Sequence, residues 1–330
     1  MGKGAVTSGD VARLANVSQS AVSRTFTPGA SVSQSTRDRV MKAAEELGYR
    51  PNALARAMIS GQSKLIAMMF AYLENQFYPV LLERMSRELQ AKGYHPLLFM
   101  TESGNQDDVV KQLLDYQVQG LVLASATLSS DLAVRCGDLG IPVVLLNRDI
   151  DDPVASSVTS DNFAGGKLVA EHFVKNGRRR VAYIAGAEDS STNRDREAGL
   201  VVGLAAHGLA LAGRFCANYR HDEARDAAAR LMNGPERPDA IFVANDYMAF
   251  AVIDVIRSEF GLRVPEDVAV AGYDDVPEAS WDAYQLTTVR QSTEDMTAHA
   301  VALLSDQIDG AFVRPQKVLL PATLIVRRSA

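Results

Sequence analysis

Between residues 65 and 271 short apolar runs alternate with stretches of helical spacing, and this alternation narrows the possible fold more than any other feature. Leu65 to Phe70, Pro96 to Met100, Gly120 to Ala124, Val143 to Leu146, Val181 to Ala185, Ala240 to Ala244 and Val268 to Ala271 read as buried strands. The stretches between them, such as Val80 to Lys92, Val109 to Gln117, Phe163 to Lys175, Glu197 to His207 and Tyr247 to Phe260, have helical spacing. Strand–helix alternation of this kind makes parallel sheets covered by helices on both faces. Extended over the body it predicts roughly ten strands, more than one sheet usually carries, and therefore two lobes.

At 330 residues, with 47% apolar and 22% charged side chains, the chain is too long for one core and too apolar to be disordered. Its longest apolar run, Leu65 to Leu73, falls short of the roughly 20 residues a membrane helix needs. Met1 to Thr7 has no apolar core of a signal peptide, so the expectation is a cytoplasmic protein with no membrane partner. Cys136 and Cys216 show no CxxC pairing and no histidines at metal spacing, and read as reduced thiols. No metal and no cofactor is expected. Charge is distributed unevenly: residues 1–64 hold nine Lys/Arg against four Asp/Glu, a net +5, and the rest hold 25 against 36, a net −11. A basic head on an acidic body fits a polyanion-binding module joined to one that must avoid polyanions. Chance clustering on a solvated face would give the same balance.

The head carries motif-level information. Thr7-Ser8-Gly9-Asp10 has the form of a capping box before Val11, Leu14 and Ala15. After a break at Asn16-Val17, Ser18 can cap a second helix, Gln19 to Thr25, with Ala21 and Val22 facing inward. Beyond the Pro28-Gly29 turn, Ser33 or Ser35 can cap a third, with Val40, Ala44 and Leu47 buried and Gly48 as its stop. Three short helices with a tight turn between the first two spell a helix-turn-helix, whose second helix enters the major groove of double-stranded DNA. Gln19 can pair with adenine and Arg24 with guanine, with Ser20 a permissive reader. Thr7, Ser18, Ser23 and Thr36 suit phosphates. A small helical bundle with polar surface residues has the same spacing. What weighs against it is Arg50-Pro51-Asn52, where Asn52 can cap a short segment, Ala53 to Met58, that is too short to be a stable isolated helix.

Asp10-Val11-Ala12, Ala15-Asn16-Val17-Ser18, Val22-Ser23-Arg24, Val32-Ser33, Thr36-Arg37, Leu47-Gly48-Tyr49 and Pro51 to Arg56 resemble the head of the lactose-repressor (LacI-type) family of bacterial transcription regulators. The similarity runs through essentially the whole chain. It implies a division into a helix-turn-helix domain over 1–50, a hinge helix and linker over 51–63, and an effector-binding and dimerisation core over 64–330. Within that core the N-lobe would take about 64–163 plus 292–322, and the C-lobe about 164–291 plus 323–330. In the family the hinge helix folds on the operator and wedges an apolar side chain into the minor groove. Here that implies Met58, where leucine is usual, with Ala55 and Arg56 beside it and Asn52 at the DNA backbone. Thr27 stands where the family usually has asparagine, and Gln19-Ser20 is the pair implied to set operator preference.

In open parallel sheets ligands bind beyond the C-terminal ends of the strands. Polar clusters do follow the apolar runs here: Asn147-Arg148-Asp149, Ser160-Asp161-Asn162, Arg194-Asp195-Arg196, Asn245-Asp246 and Tyr273-Asp274-Asp275. Asp161 and Asp246 can equally cap helices, Asp275 can belong to a turn and Arg148 to a surface ion pair. The resemblance extends to a core like that of periplasmic sugar-binding proteins, with an effector cleft between the lobes. It implies Phe77, Tyr78 and Ser125 on the N-terminal side, Arg148, Asp161, Arg196, Asn245 and Asp274 as polar contacts, and Trp281 as a stacking wall. No leucine-heptad tail follows Arg327-Arg328, so a homodimer and a palindromic operator are expected.

The reading is therefore a DNA-binding regulator controlled by a small metabolite, a sugar or sugar acid. A transporter's solute-binding protein would share the body but not the basic head. No P-loop, dinucleotide fingerprint, zincin or nucleophile-elbow motif is present, which argues against an enzyme.

Overall fold

The computed structural model describes residues 6–27, 29–50, 63–70, 72–100, 106–124, 130–150, 154–310 and 314–330. Asn52, Ala55, Arg56, Met58 and Ser125 lie outside them. The chain divides into two units, residues 1–64 and 65–330.

In the first unit, α1 (Ser8–Ala15) begins with a capping box: Asp10 N–H donates to Thr7 Oγ1 at 3.3 Å and Thr7 N–H donates to Asp10 Oδ2 at 3.0 Å. Asn16, at φ 50°, turns the chain sharply, and Ser18 caps α2 (Gln19–Thr25) by accepting from Ala21 N–H at 3.2 Å. Ser33, rather than Ser35, caps α3 (Gln34–Leu47), and left-handed Gly48 at φ 64° ends it. Val11, Ala12, Ala15, Val22, Val40, Ala43 and Ala44 form the small core. Leu14, read as part of the apolar stripe of α1, is instead 47% exposed, because three short helices enclose too little space to cover a fourth apolar position of α1.

The second unit contains β1 (Leu65–Phe70), α4 (Phe77–Ala91), β2 (His95–Met100), α5 (Gln106–Asp115), β3 (Gly120–Leu123), α6 (Ser130–Asp138), β4 (Val143–Leu146) and β5 (Ser156–Ser160). These are followed by α7 (Asn162–Lys175), β6 (Val181–Ala185), α8 (Ser191–Ala205), β7 (Gly213–Cys216), α9 (His221–Asn233), β8 (Ala240–Val243), α10 (Asp246–Ser258) and β9 (Ala269–Asp274). The remaining elements are β10 (Thr287–Arg290), α11 (Thr293–Ile308), β11 (Lys317–Leu320) and β12 (Thr323–Ile325).

Two six-stranded sheets result, in the orders β2-β1-β3-β4-β5-β11 and β7-β6-β8-β9-β10-β12. Every pairing is parallel except β10 with β12. All six residues of β1 are buried, each large apolar side chain contributing about 1.5–3 kcal/mol. The chain passes between the sheets three times, after β5, β10 and β11.

Helices α7 and α8 meet backbone to backbone. A Cβ on Gly166 would stand 2.1 Å from the Arg196 carbonyl oxygen, and one on Gly199 would stand 2.0 Å from that of Phe163. Arg196 lies inside α8, whereas the sequence reading began that helix at Glu197 and left Arg196 in the loop after β6.

Candidate nucleic-acid interface and effector cleft

Gln19 and Ser20 occupy the first turn of α2 and Arg24 the turn after, all three exposed. Gln19 Nε2 donates to Ser8 Oγ at 2.8 Å, and Arg24 Nε reaches back to the Ser20 carbonyl oxygen at 3.4 Å. Both side chains thus rest on local partners that a base edge could replace. Thr7 and Ser18 stand at helix N-termini and Thr36 in the first turn of α3, positions from which hydroxyls and backbone N–H groups can meet phosphates. Ser23 is half-buried on α2, and its carbonyl oxygen accepts from Thr27 Oγ1 at 2.9 Å.

In the body, Arg196 is the centre of a buried polar cluster. Its Nε donates to Asn162 Oδ1 at 2.9 Å and its Nη1 to the Ala244 carbonyl oxygen at 2.5 Å, and its guanidinium lies 3.7 Å over the Tyr273 ring. The remaining nitrogen, Nη2, is 4.0 Å from Asp274 Oδ1, close enough for an ion pair but too far for a hydrogen bond, and has no hydrogen-bond partner among the described residues. Asn245 caps α10 by accepting Met248 N–H at 2.9 Å, and its buried Nδ2 has no hydrogen-bond partner among the described residues. Two buried donors without acceptors are costly unless something supplies the missing oxygen.

Asp274 ends β9 in a left-handed conformation, φ 127°. Its carboxylate accepts from Asn75 Nδ2 at 3.0 Å and from Gln291 Nε2 at 2.7 Å. Asp246, fully buried, accepts from Thr288 Oγ1 at 2.6 Å and Val276 N–H at 3.0 Å; the α10 cap is Asn245, not Asp246. Burial raises both acids above the ordinary carboxylate range; the charge of Asp274 adds to the rise at Asp246, while Arg196 holds Asp274 back.

On the N-lobe side, Phe77 and Tyr78 are buried at the start of α4, and the Tyr78 ring packs edge-on to Phe70, Tyr72 and Phe77 at 5.4–6.0 Å. Burial holds its phenol well above the ordinary value, with Tyr219 and Asp274 adding to the effect. Arg148 is buried next to Asn147; burial opposes its charge, and Tyr78 and Asp189 offset part of that. Asp161 is half-buried and caps α7, accepting Ala164 N–H at 2.8 Å. Trp281 follows a 3₁₀ turn, Pro277–Ser280, and is 55% exposed. The buried aromatic near Arg196 is instead Tyr219, whose hydroxyl lies 3.1 Å from both Ser190 Oγ and Thr192 Oγ1. Its ring lies so close to Gly186 that a Cβ there would meet it at 2.1 Å.

Asn75, Tyr219 and Gln291 escaped the sequence reading, which named Asn162 only within the Ser160-Asp161-Asn162 cluster. Asn162 was adjacent to a residue already chosen, and the Asn-Tyr pair after the Arg-Phe-Cys of β7 was the signal for Tyr219. Asn75 and Gln291 carried none, since one sits in a loop and the other follows a strand of Thr-Thr-Val-Arg. Among the described residues no group of three His, Cys, Asp or Glu could hold a metal, and no helix is long and apolar enough to cross a membrane.

A helix-turn-helix unit followed in sequence by two mainly parallel sheets with a buried polar cluster is the arrangement of ligand-responsive DNA-binding regulators. Residues 8–52 match the model for bacterial regulatory proteins of the lacI family, and residues 170–330 match a periplasmic binding protein-like domain. The HTH-type transcriptional regulator CelR of Thermobifida fusca is 32% identical, over 97% of this chain and 96% of its own length. The ribose operon repressor of Escherichia coli strain K12 is 30% identical, over 97% and 98%. Among solved structures, the lac repressor dimer bound to operator and the anti-inducer ONPF superposes with a TM-score of 0.88 at 28% identity, covering 99% of each chain. The chain belongs to the lacI family, and is a DNA-binding transcription regulator rather than an enzyme.

Proposed function

We propose that the protein is a cytoplasmic, homodimeric repressor of a palindromic operator, released or tightened by a sugar or sugar acid held between its lobes. The observation that carries the effector reading is the pair of buried, unpaired donors, Arg196 Nη2 and Asn245 Nδ2, beside the Asp274 carboxylate. Ring hydroxyls, which donate and accept, match such a mixture, and Arg148 and Arg196 together would favour a carboxylate on the ring. Asp161, Phe77 and Tyr78 would complete the wall, with Ser125, which follows β3 in the sequence. The lac repressor dimer seen with operator and anti-inducer supports both the dimer and the two-site arrangement. Ligand and operator would be coupled through the lobes, each altering the other's affinity by the same factor.

A thermal-shift screen of the full chain against neutral sugars, sugar acids, phosphorylated sugars and purines tests this. A ligand at 100 times its dissociation constant adds about 2.7 kcal/mol. A sugar-acid or neutral-sugar hit that disappears in Asn245→Ala supports the cleft; a purine-only hit, or none, rejects the effector class.

For the head, Arg24→Ala is expected to weaken operator binding by about 1–3 kcal/mol and to relax selection at one base position. Binding-site selection on randomised DNA reads this directly. A uniform loss across sequences would make Arg24 a phosphate contact.

A further inference from the structure

The Asp274 carboxylate, the acid placed to meet an effector, is already occupied by the protein itself. Asn75 belongs to the segment between β1 and α4, on the N-lobe, and Asp274 ends β9 on the C-lobe. The Asn75 amide is oriented by its own lobe, because Oδ1 accepts Phe77 N–H at 3.1 Å, and this turns Nδ2 toward Asp274. Both residues are buried, at 3% and 4% exposure, so water cannot readily take over this bond. The other carboxylate oxygen is held by Gln291, on the segment that carries the chain back from β10 to α11. One acid therefore joins the C-lobe to the N-lobe and to a crossing strand.

The segment that carries Asn75 and the C-lobe also act on one another electrostatically. Tyr72 is acted on electrostatically by Tyr219 and Asp274, and the charge of Glu74 acts on Arg220 and Tyr247. Within residues 72–76, Asn75 makes a buried hydrogen bond across the cleft to a charged group.

We propose that Asn75 is an internal stand-in for the effector. Its amide supplies the donor that a ligand hydroxyl would otherwise give Asp274, and so keeps the lobes latched in the ligand-free protein. An effector that engages Asp274 displaces Asn75, and the ligand signal is the exchange of an internal donor for an external one. Effector affinity is then lowered by the strength of the latch, and removing Asn75 raises it. This rests on the reading of the cleft as the effector site, but the latch itself is measurable with no ligand present.

The test is hydrogen exchange of the full-length protein without ligand, comparing the unaltered chain with Asn75→Ala, Asn75→Asp and the double variant Asn75→Asp/Asp274→Asn. A hydrogen bond to a charged group controls an opening equilibrium by about tenfold or more. Both single variants are expected to accelerate exchange by at least that factor at 72–80 and also at 186–196 across the cleft. The double variant reverses donor and acceptor while keeping an oxygen for Phe77 N–H and for Gln291, and should restore protection. Acceleration confined to 72–80 would reduce Asn75 to a local turn residue and overturn the latch, as would a double variant no better protected than Asn75→Asp. A silent sugar screen beside restored protection would reject the effector reading and leave the latch standing.

Discussion

Replacing Arg196 with methionine is expected to destabilise the protein by about 3–5 kcal/mol and to abolish its response to effector. Methionine matches the length of the stem but donates nothing. The Asn162 amide oxygen and the Ala244 carbonyl would each lose a donor inside the protein, and Tyr273 would lose the cation over its ring. Asp274 would lose the charge that holds its pKa down, so that pKa, already raised by burial, would rise further. An acid with a raised folded pKa retains a proton that the unfolded chain releases. Its effect on stability is therefore most favourable at low pH and is lost as pH climbs through the folded value. The deficit of Arg196→Met should accordingly be smaller at pH 5 than at pH 8. Urea unfolding at the two pH values measures this; an equal deficit at both would show that Arg196 does not govern the charge of Asp274.

The second large effect concerns a residue with no side chain. Gly166→Ala is expected to cost about 3 kcal/mol, the upper part of the usual range for overpacking. Its Cβ would lie 2.1 Å from the Arg196 carbonyl oxygen and 2.9 Å from Leu200 N, and neither is the end of a flexible side chain that could swing away. Relief requires α7 and α8 to separate, which moves the guanidinium of Arg196 off its partners. Thermal unfolding should show the loss of stability, and ligand binding should weaken in the same variant. Gly137→Ala is the control, since a Cβ there meets nothing within 4 Å.

The central strands and the capped helices of the head were legible because each states its role locally. Leu65–Phe70, Val143–Leu146 and Val181–Ala185 are unbroken apolar runs, and Thr7, Ser18 and Gly48 are residues whose backbone preferences mark helix ends. What escaped depends on context. Ser-Ser-Val-Thr-Ser of β5 has the composition of a loop, yet all five residues are buried, because neighbours on both sides complete its ladder. β11 and β12 are edge strands joined to the sheets from far along the chain, and nothing local announces such a pairing. At the cleft, Arg196 and Asp274 were nameable from family motifs, whereas Asn75 and Gln291 gain their meaning only from the acid they share. Trp281 was named as a wall from the family resemblance alone, and it lies 55% exposed after the Pro277–Ser280 turn.

The three passages of the chain between the sheets have a consequence for how the protein is made. The N-lobe sheet needs Lys317–Leu320, and the C-lobe sheet needs Thr323–Ile325 together with Ser329, whose hydroxyl bridges Val270 and Thr287. On a ribosome, the helices of the first fifty residues are free to form and to meet DNA while neither sheet can yet be closed. Translation that stops early would release the head's helices without either closed sheet. The order of segments along the messenger thus separates forming the head, possible early, from closing the body, possible only once the last strands have arrived.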